Sequence, residues 1–235
     1  MVNKPFAPLS ASPEAPPNPE RALALFYAPV AAREGLAALF ALDDRLGHIL
    51  RATREPMVGQ MRLTWWHEAL TRLDTEPPPA EPVLAAVAAH LLPAGIAGAR
   101  LAEMIDGWEI LLDADAGDDA TLEQHAVYRG VGLFGAAATL LRVSPSDPVA
   151  PAGRGWALAD LARHLGDDTA ARRALALAAA PLEAATSIKW SRAGRSLGAL
   201  THLARMDLSA PLDRSVPVGS PARVWRLLRH RMTGK

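Results

Sequence analysis

Apolar residues recur at spacings of three and four along most of the chain, the signature of helices with one buried face. Over residues 31–50, Leu36, Leu39, Phe40, Leu46, Ile49 and Leu50 fall mostly on one side. Glu55 followed by Pro56 ends that helix, because the residue before a proline resists the α conformation. A second helix is predicted over 57–73, with Met61, Trp65, Trp66, Ala69, Leu70 and Leu73 as its apolar side and Pro77-Pro78-Pro79 closing it. The same periodicity predicts helices near 81–92, 98–112, 121–141, 155–165, 169–190, 195–206 and 221–232. Pro181 either kinks the long one or sits near its start. No segment shows the alternation of a strand flanked by turn residues.

Composition agrees with the pattern. Half of the residues are hydrophobic but only 5% are aromatic, and the apolar set is dominated by Ala and Leu, both strong helix formers. The class is all-α. Residues 5–19 hold six prolines and read as an extended or disordered, flexible leader. Two polar segments, 113–119 and 144–153, carry turn chemistry but are too short for interdomain linkers, and no internal repeat is present. A Pro-rich leader over 1–19 followed by one helical bundle over 20–235 is the simplest organisation.

Several functions are disfavoured at once. Twenty-five basic residues balance 25 acidic ones, so the chain as a whole has no charge bias toward nucleic acid. The absence of Cys removes disulfides, thiolate nucleophiles and Cys-based metal sites. The first residues, MVNKPFAPLS, have no apolar h-region, so no signal peptide is expected. The longest weakly polar run, 174–182, falls short of the roughly 20 apolar residues that a spanning helix needs.

Short motifs are weak. Gly130, Gly132 and Gly135 match the dinucleotide fingerprint letter for letter, but that fingerprint works only after a strand, and the lead-in here is helical. Close helix packing at glycines is the better explanation. His67-Glu68 lacks the second His that a zinc protease needs, since position 71 is Thr. No Gly-x-Ser-x-Gly elbow occurs. Among carboxylates, Glu109 and Asp113 have the i, i+4 spacing of a cation-binding pair, whereas Asp43 and Asp44 are adjacent and have Gly47 and His48 four residues on. After Asp213 the chain has no acidic residue, while Arg223, Arg226, Arg229, Arg231 and Lys235 are basic. With Val224, Trp225, Leu228 and Met232 on one face, this helix suits an anionic membrane or an acidic partner.

Two stretches resemble the squalene/phytoene synthase family. Residues 39–51, LFALDDRLGHILR, resemble the family helix that reads LYAF before its first aspartate-rich segment. Residues 61–70, MRLTWWHEAL, are similar to its IRLxWWRxAL helix. Residues 101–112 resemble its LIDGxExDL helix, and 128–135 its YxxxxGxVG helix. The resemblance is specific over about 25–112, weakens through 141 and is compositional beyond.

The resemblance implies an isoprenoid-synthase-type α-bundle, whose active members join two prenyl diphosphates head to head. In them, two facing aspartate-rich motifs hold Mg2+, which neutralises the diphosphate before the carbon–oxygen bond ionises. In register, Gly47 and Arg51 stand where the first motif has its aspartates, and Leu111 replaces the aspartate of ExDL. In the second region only Asp160 offers a carboxylate before Asp167 and Asp168. This pattern resembles the family's non-catalytic branch, related to respiratory complex I assembly factors.

Three readings follow. The first is a cytoplasmic, non-catalytic binding or assembly factor without cofactor, peripheral on the inner face of a membrane, whose partner is a complex I subunit or assembly intermediate. It draws on Arg51, Arg62, Trp65, Trp66 and Tyr128 for partner or substrate contact, and on Arg223, Trp225, Arg226 and Arg229 for membrane or partner contact. The second is a Mg2+-dependent prenyl-diphosphate transferase, with Asp43, Asp44 and Asp160 catalytic and Asp43, Asp44, Asp167 and Asp168 as metal ligands. The third is an isoprenoid- or lipid-binding protein without chemistry.

Overall fold

The computed structural model describes residues 19–53, 55–112 and 117–235. The predicted leader up to residue 18, and Asp113 of the Glu109/Asp113 pair, lie outside the described residues. Pro19 opens the first helix, α1 (Pro19–Phe26). There follow α2 (Val30–Ala52), α3 (Pro56–Arg72), α4 (Pro82–His90) and α5 (Gly98–Glu109), with short 3-10 turns at Leu92–Ala94 and Ile110–Leu112. The second half holds α6 (Asp119–His125), α7 (Gly132–Leu141), α8 (Val149–Ala162), α9 (Asp168–Ser187), α10 (Arg195–Asp207) and α11 (Pro221–Thr233). No β-strand occurs among the described residues.

Local chemistry accounts for most of these limits. Pro56, Pro82 and Pro221 sit at the first helical position, where a missing N–H costs nothing. Asp118 and Asp167 cap α6 and α9 by accepting from the amides of Thr121 at 2.7 Å and Thr169 at 2.8 Å. The start of α5 is capped from a distance: the Asp74 carboxylate accepts from the amides of Gly98 at 2.6 Å and Ala99 at 2.9 Å.

Two predicted boundaries change. The helix expected over 121–141 is interrupted by a π-helical segment, Ala126–Val131, between α6 and α7. The turn expected over 144–153 is shorter, because α8 begins at Val149 and accepts Pro151 in its first turn, where no intrahelical N–H bond is due. Pro181 lies inside α9.

The core is one continuous cluster fed by every helix from α1 to α11. Helix α8 runs through its middle, packed against α9, α10, α7 and the π-helical segment, while α2 packs on α4 and α7, and α3 on α5. Gly130 and Gly153 set the approach of the π segment to α8: a Cβ on either would stand 2.3 Å from the other's carbonyl oxygen. Gly132 faces Met104, and Gly135 has open space where a side chain would stand. The first two glycines of the fingerprint-like triplet are thus helix-packing positions. No helix among the described residues is long and apolar enough to cross a membrane.

Candidate functional site

Helices α2, α5 and α8 and the π segment enclose a cluster of charge in the centre of the bundle. Asp43 projects from the same face of α2 as Leu36, Leu39, Leu46 and Leu50, and is buried with them. A buried carboxylate needs a counter-charge and hydrogen bonds to remain ionised. Arg129 of the π segment supplies both. Its Nε donates to Asp43 Oδ1 at 2.8 Å and its Nη2 to Asp43 Oδ2 at 2.9 Å, a bidentate pair. The remaining nitrogen, Nη1, lies 2.7 Å from Asp160 Oδ2 on α8. One guanidinium therefore bridges carboxylates from two helices.

Aromatic rings complete the enclosure. The guanidinium carbon of Arg129 lies 4.3 Å from the ring centre of Trp108 and 4.7 Å from that of Trp156. Phe40 and Phe134 pack on Trp156. The electrostatic consequences follow from this geometry. Burial alone would lower the pKa of Arg129, but Asp43 and Asp160 outweigh it and hold the guanidinium above its usual range. Burial would raise Asp160, yet Arg129, with smaller help from His164 and Arg51, holds its carboxyl well below the usual carboxylate range. The Asp160 side chain keeps 34% of its exposure, so one edge of the cluster reaches solvent.

Arg51 closes the cluster from α2. It folds back along its own helix over Gly47, so that a Cβ at Gly47 would stand 2.7 Å from Arg51 Nη1 and 3.0 Å from Trp108. Burial lowers the Arg51 pKa, Asp160 opposes this and Arg129 reinforces it. Two carboxylates and two guanidiniums make the cluster neutral. Its donor set does not fit a hard dication, since the two facing carboxylates already hold a permanent cation between them.

His125 lies under the cluster. Its Nδ1 is 2.5 Å from the Gly107 carbonyl oxygen and its ring meets Trp108 edge to face. Burial, followed by the charge of Arg129, takes its pKa from 6.5 to about 4. Burial also lowers His202 to about 3 and His230 to about 4. The unfolded chain therefore binds more protons than the folded one below pH 6.5. Stability should be complete above that pH and fall by on the order of 1 kcal/mol per pH unit for each such His down to about pH 4. Asp160, held far lower, keeps its charge throughout this window. Denaturant unfolding at steps from pH 7 to 4 should give a shallower slope for His125→Gln than for the native chain, with His202 and His230 supplying the rest.

The other predicted site residues are dispersed. Asp44 is exposed and paired with Arg21, which donates to its two oxygens at 2.8 Å. Asp167 caps α9, and Asp168 sits in its first turn 3.8 Å from Arg172. Among the described residues no three carboxylates or histidines converge as a metal-ligand group. Glu109 accepts from Gln60 Nε2 at 3.2 Å.

Arg62, Trp65 and Trp66 do meet. With Arg45, His48, Ile49 and Glu81 they line a groove of about 330 Å³ between α2 and α3, on the flank of α2 away from Asp43. Trp66 is buried, whereas Trp65 continues an exposed apolar stripe through Met61 and Met57. Arg51 belongs to the central cluster and Tyr128 to the surface of the π segment. The assignment of Arg223 to a membrane or partner contact is corrected. It is buried, with its Nε 2.9 Å from both Glu20 oxygens, because α11 turns this side chain inward against α1 and α10. Arg226 points partly inward too, 2.6 Å from His202 Nδ1. Trp225 and Arg229 face outward.

Arg129, Trp108 and Trp156 were not identified from the sequence. The signal was present in Asp43: a lone acid on an apolar helical stripe requires a buried cation, and Arg129 is itself a lone charge among Leu122, Ala126 and Leu133.

Comparison with known proteins agrees with this architecture. A dehydrosqualene synthase crystallised with a ligand has the same fold, with a TM-score of 0.71 over 92% of this chain and 91% of that one, at 14% identity. No curated protein matches the chain. The squalene/phytoene synthase family model matches residues 17–196, more than half of the sequence, and the chain belongs to that family.

Proposed function

We propose that this chain is a non-catalytic member of the family that acts by binding a protein partner, as an assembly factor for respiratory complex I. One observation carries the loss of chemistry: Arg129 lies between Asp43 and Asp160, bidentate to the first and 2.7 Å from the second. Prenyl transfer requires carboxylates that recruit Mg2+ and, through it, a diphosphate. A neutral cluster flanked by Trp108 and Trp156 attracts neither ion strongly. Arg51, folded over Gly47, occupies the space of the missing aspartate side chains.

The assembly role rests on the resemblance of the helices around Asp43 and around Met61 and Trp65 to the non-catalytic branch. The stripe Met57, Met61 and Trp65, beside Arg45, His48 and Arg62, is the contact surface in this reading, since exposed Met and Trp next to Arg are typical of binding hot spots. A strain lacking the protein should lose assembled complex I. The native chain should restore it, and a chain carrying Met61→Ser and Trp65→Ser should not. Normal complex I in the deletion strain would overturn the assembly role.

A further inference from the structure

Among the described residues, the outer face of α11 is exposed at Trp225, Leu228 and Met232. Its inner face is fully used: Arg223, Leu227 and His230 are buried, with Arg223 on Glu20 and His230 Nε2 3.1 Å from the Arg195 carbonyl oxygen. The helix is therefore fixed in orientation, and what it turns outward is set by that docking. Trp225 is 68% exposed, Leu228 42% and Met232 79%. At spacings of three, four and seven these residues form one stripe.

Charge frames the stripe. Arg229 lies beside Trp225 on the same outer surface, Arg226 borders one edge and Arg231 the other, as the 3.6-residue period requires. Residues 214–235 contain six Arg or Lys and no acidic residue. An apolar stripe centred between two basic margins is the arrangement of a helix lying in the plane of a membrane, with Trp at the level of the headgroups and Arg reaching their phosphates.

We infer that the exposed face of α11 is a peripheral binding surface for anionic lipid bilayers, with Trp225, Leu228 and Met232 entering the interface and Arg229 contacting the headgroup phosphates. Half-buried Arg226, and Arg231, which stands over the Tyr27 ring, add positive charge at the two margins. The surface is separate from the α3 stripe and does not depend on the identity of a protein partner. A bilayer is favoured over an acidic protein because the apolar stripe runs along about two turns of one helix and is flanked on both sides by cations.

Co-sedimentation of the full chain with vesicles tests this. Phosphatidylcholine vesicles should leave the protein in the supernatant, and adding phosphatidylglycerol should bring it down in a salt-sensitive manner. The variant Trp225→Ser plus Met232→Ser should bind anionic vesicles about tenfold more weakly or worse. Arg229→Glu, a single exposed change, should do so as well, with unchanged circular dichroism in both. Failure of the native chain to sediment with anionic vesicles at low salt would overturn the inference, even if an acidic protein were found to bind α11. Undiminished binding of both variants would overturn it equally.

Discussion

Replacing Arg129 by Ala is expected to destabilise the protein by about 3–5 kcal/mol, a fall in Tm on the order of 10 °C for a chain of this size. The effect is large because of what remains. Asp43 is 2% exposed and would keep its carboxylate in the core without the guanidinium that now donates to both its oxygens. Trp108 and Trp156 would face a void where they now sandwich a cation. Lys at position 129 should recover only part of the loss, since an ammonium cannot span both Asp43 oxygens and Asp160 with fixed fork geometry. Pairing Arg129→Met with Asp43→Leu should recover more, because both charges leave together. Thermal unfolding of the three variants checks the order, and an Arg129→Ala protein that melts with the native one would refute it.

The second large effect is expected at the other buried ion cluster. Arg223 donates to Glu20 Oε2 through Nη2 at 2.7 Å and to Asp207 Oδ1 through Nη1 at 2.5 Å. Gly219 adds its amide to Glu20 Oε1 at 2.7 Å. These bonds join α1, α10 and α11, which belong to opposite ends of the described chain. Arg223→Ala should again lose about 3–5 kcal/mol, with a spatial signature that Arg129→Ala lacks. Hydrogen exchange should accelerate first in Pro19–Phe26 and Pro221–Thr233, because this cluster ties these two helices to each other and to α10. Uniform acceleration over the whole chain would contradict that account.

Much of the fold was legible in the sequence because helices announce themselves locally. The stripe from Leu36 to Leu50 and the prolines at 56, 77–79 and 82 place α2 and α3 to within two residues of the observed ends. The π-helical segment was not legible, because one extra residue in a turn leaves the apolar pattern of Leu122, Ala126 and Leu133 almost undisturbed. It nevertheless decides where Arg129 points.

The central cluster was half legible. Asp43 and Asp160 could be singled out as the carboxylates nearest the two family motifs, but their partner lies 86 residues from Asp43 in the chain. Nothing local gives Arg129 its partner: it is a charge among Leu122, Ala126 and Leu133, one residue before the glycines of the fingerprint-like triplet. Arg223 failed in the same way: its basic neighbours suggested an outward charge, and its partner Glu20 is 203 residues away. Long-range ion pairs are written in geometry, and a single sequence shows only that each member is out of place among apolar neighbours.

The central claim is that Asp43 and Asp160, already held by the Arg129 guanidinium, recruit no metal for a diphosphate, and calorimetry tests it most directly. Titrating the protein with a non-hydrolysable farnesyl diphosphate analogue, with and without Mg2+, should give no metal-dependent heat at any Mg2+ concentration. Tight binding that requires the metal would contradict the account, and would mean that Arg129 yields Asp43 and Asp160 when the diphosphate arrives.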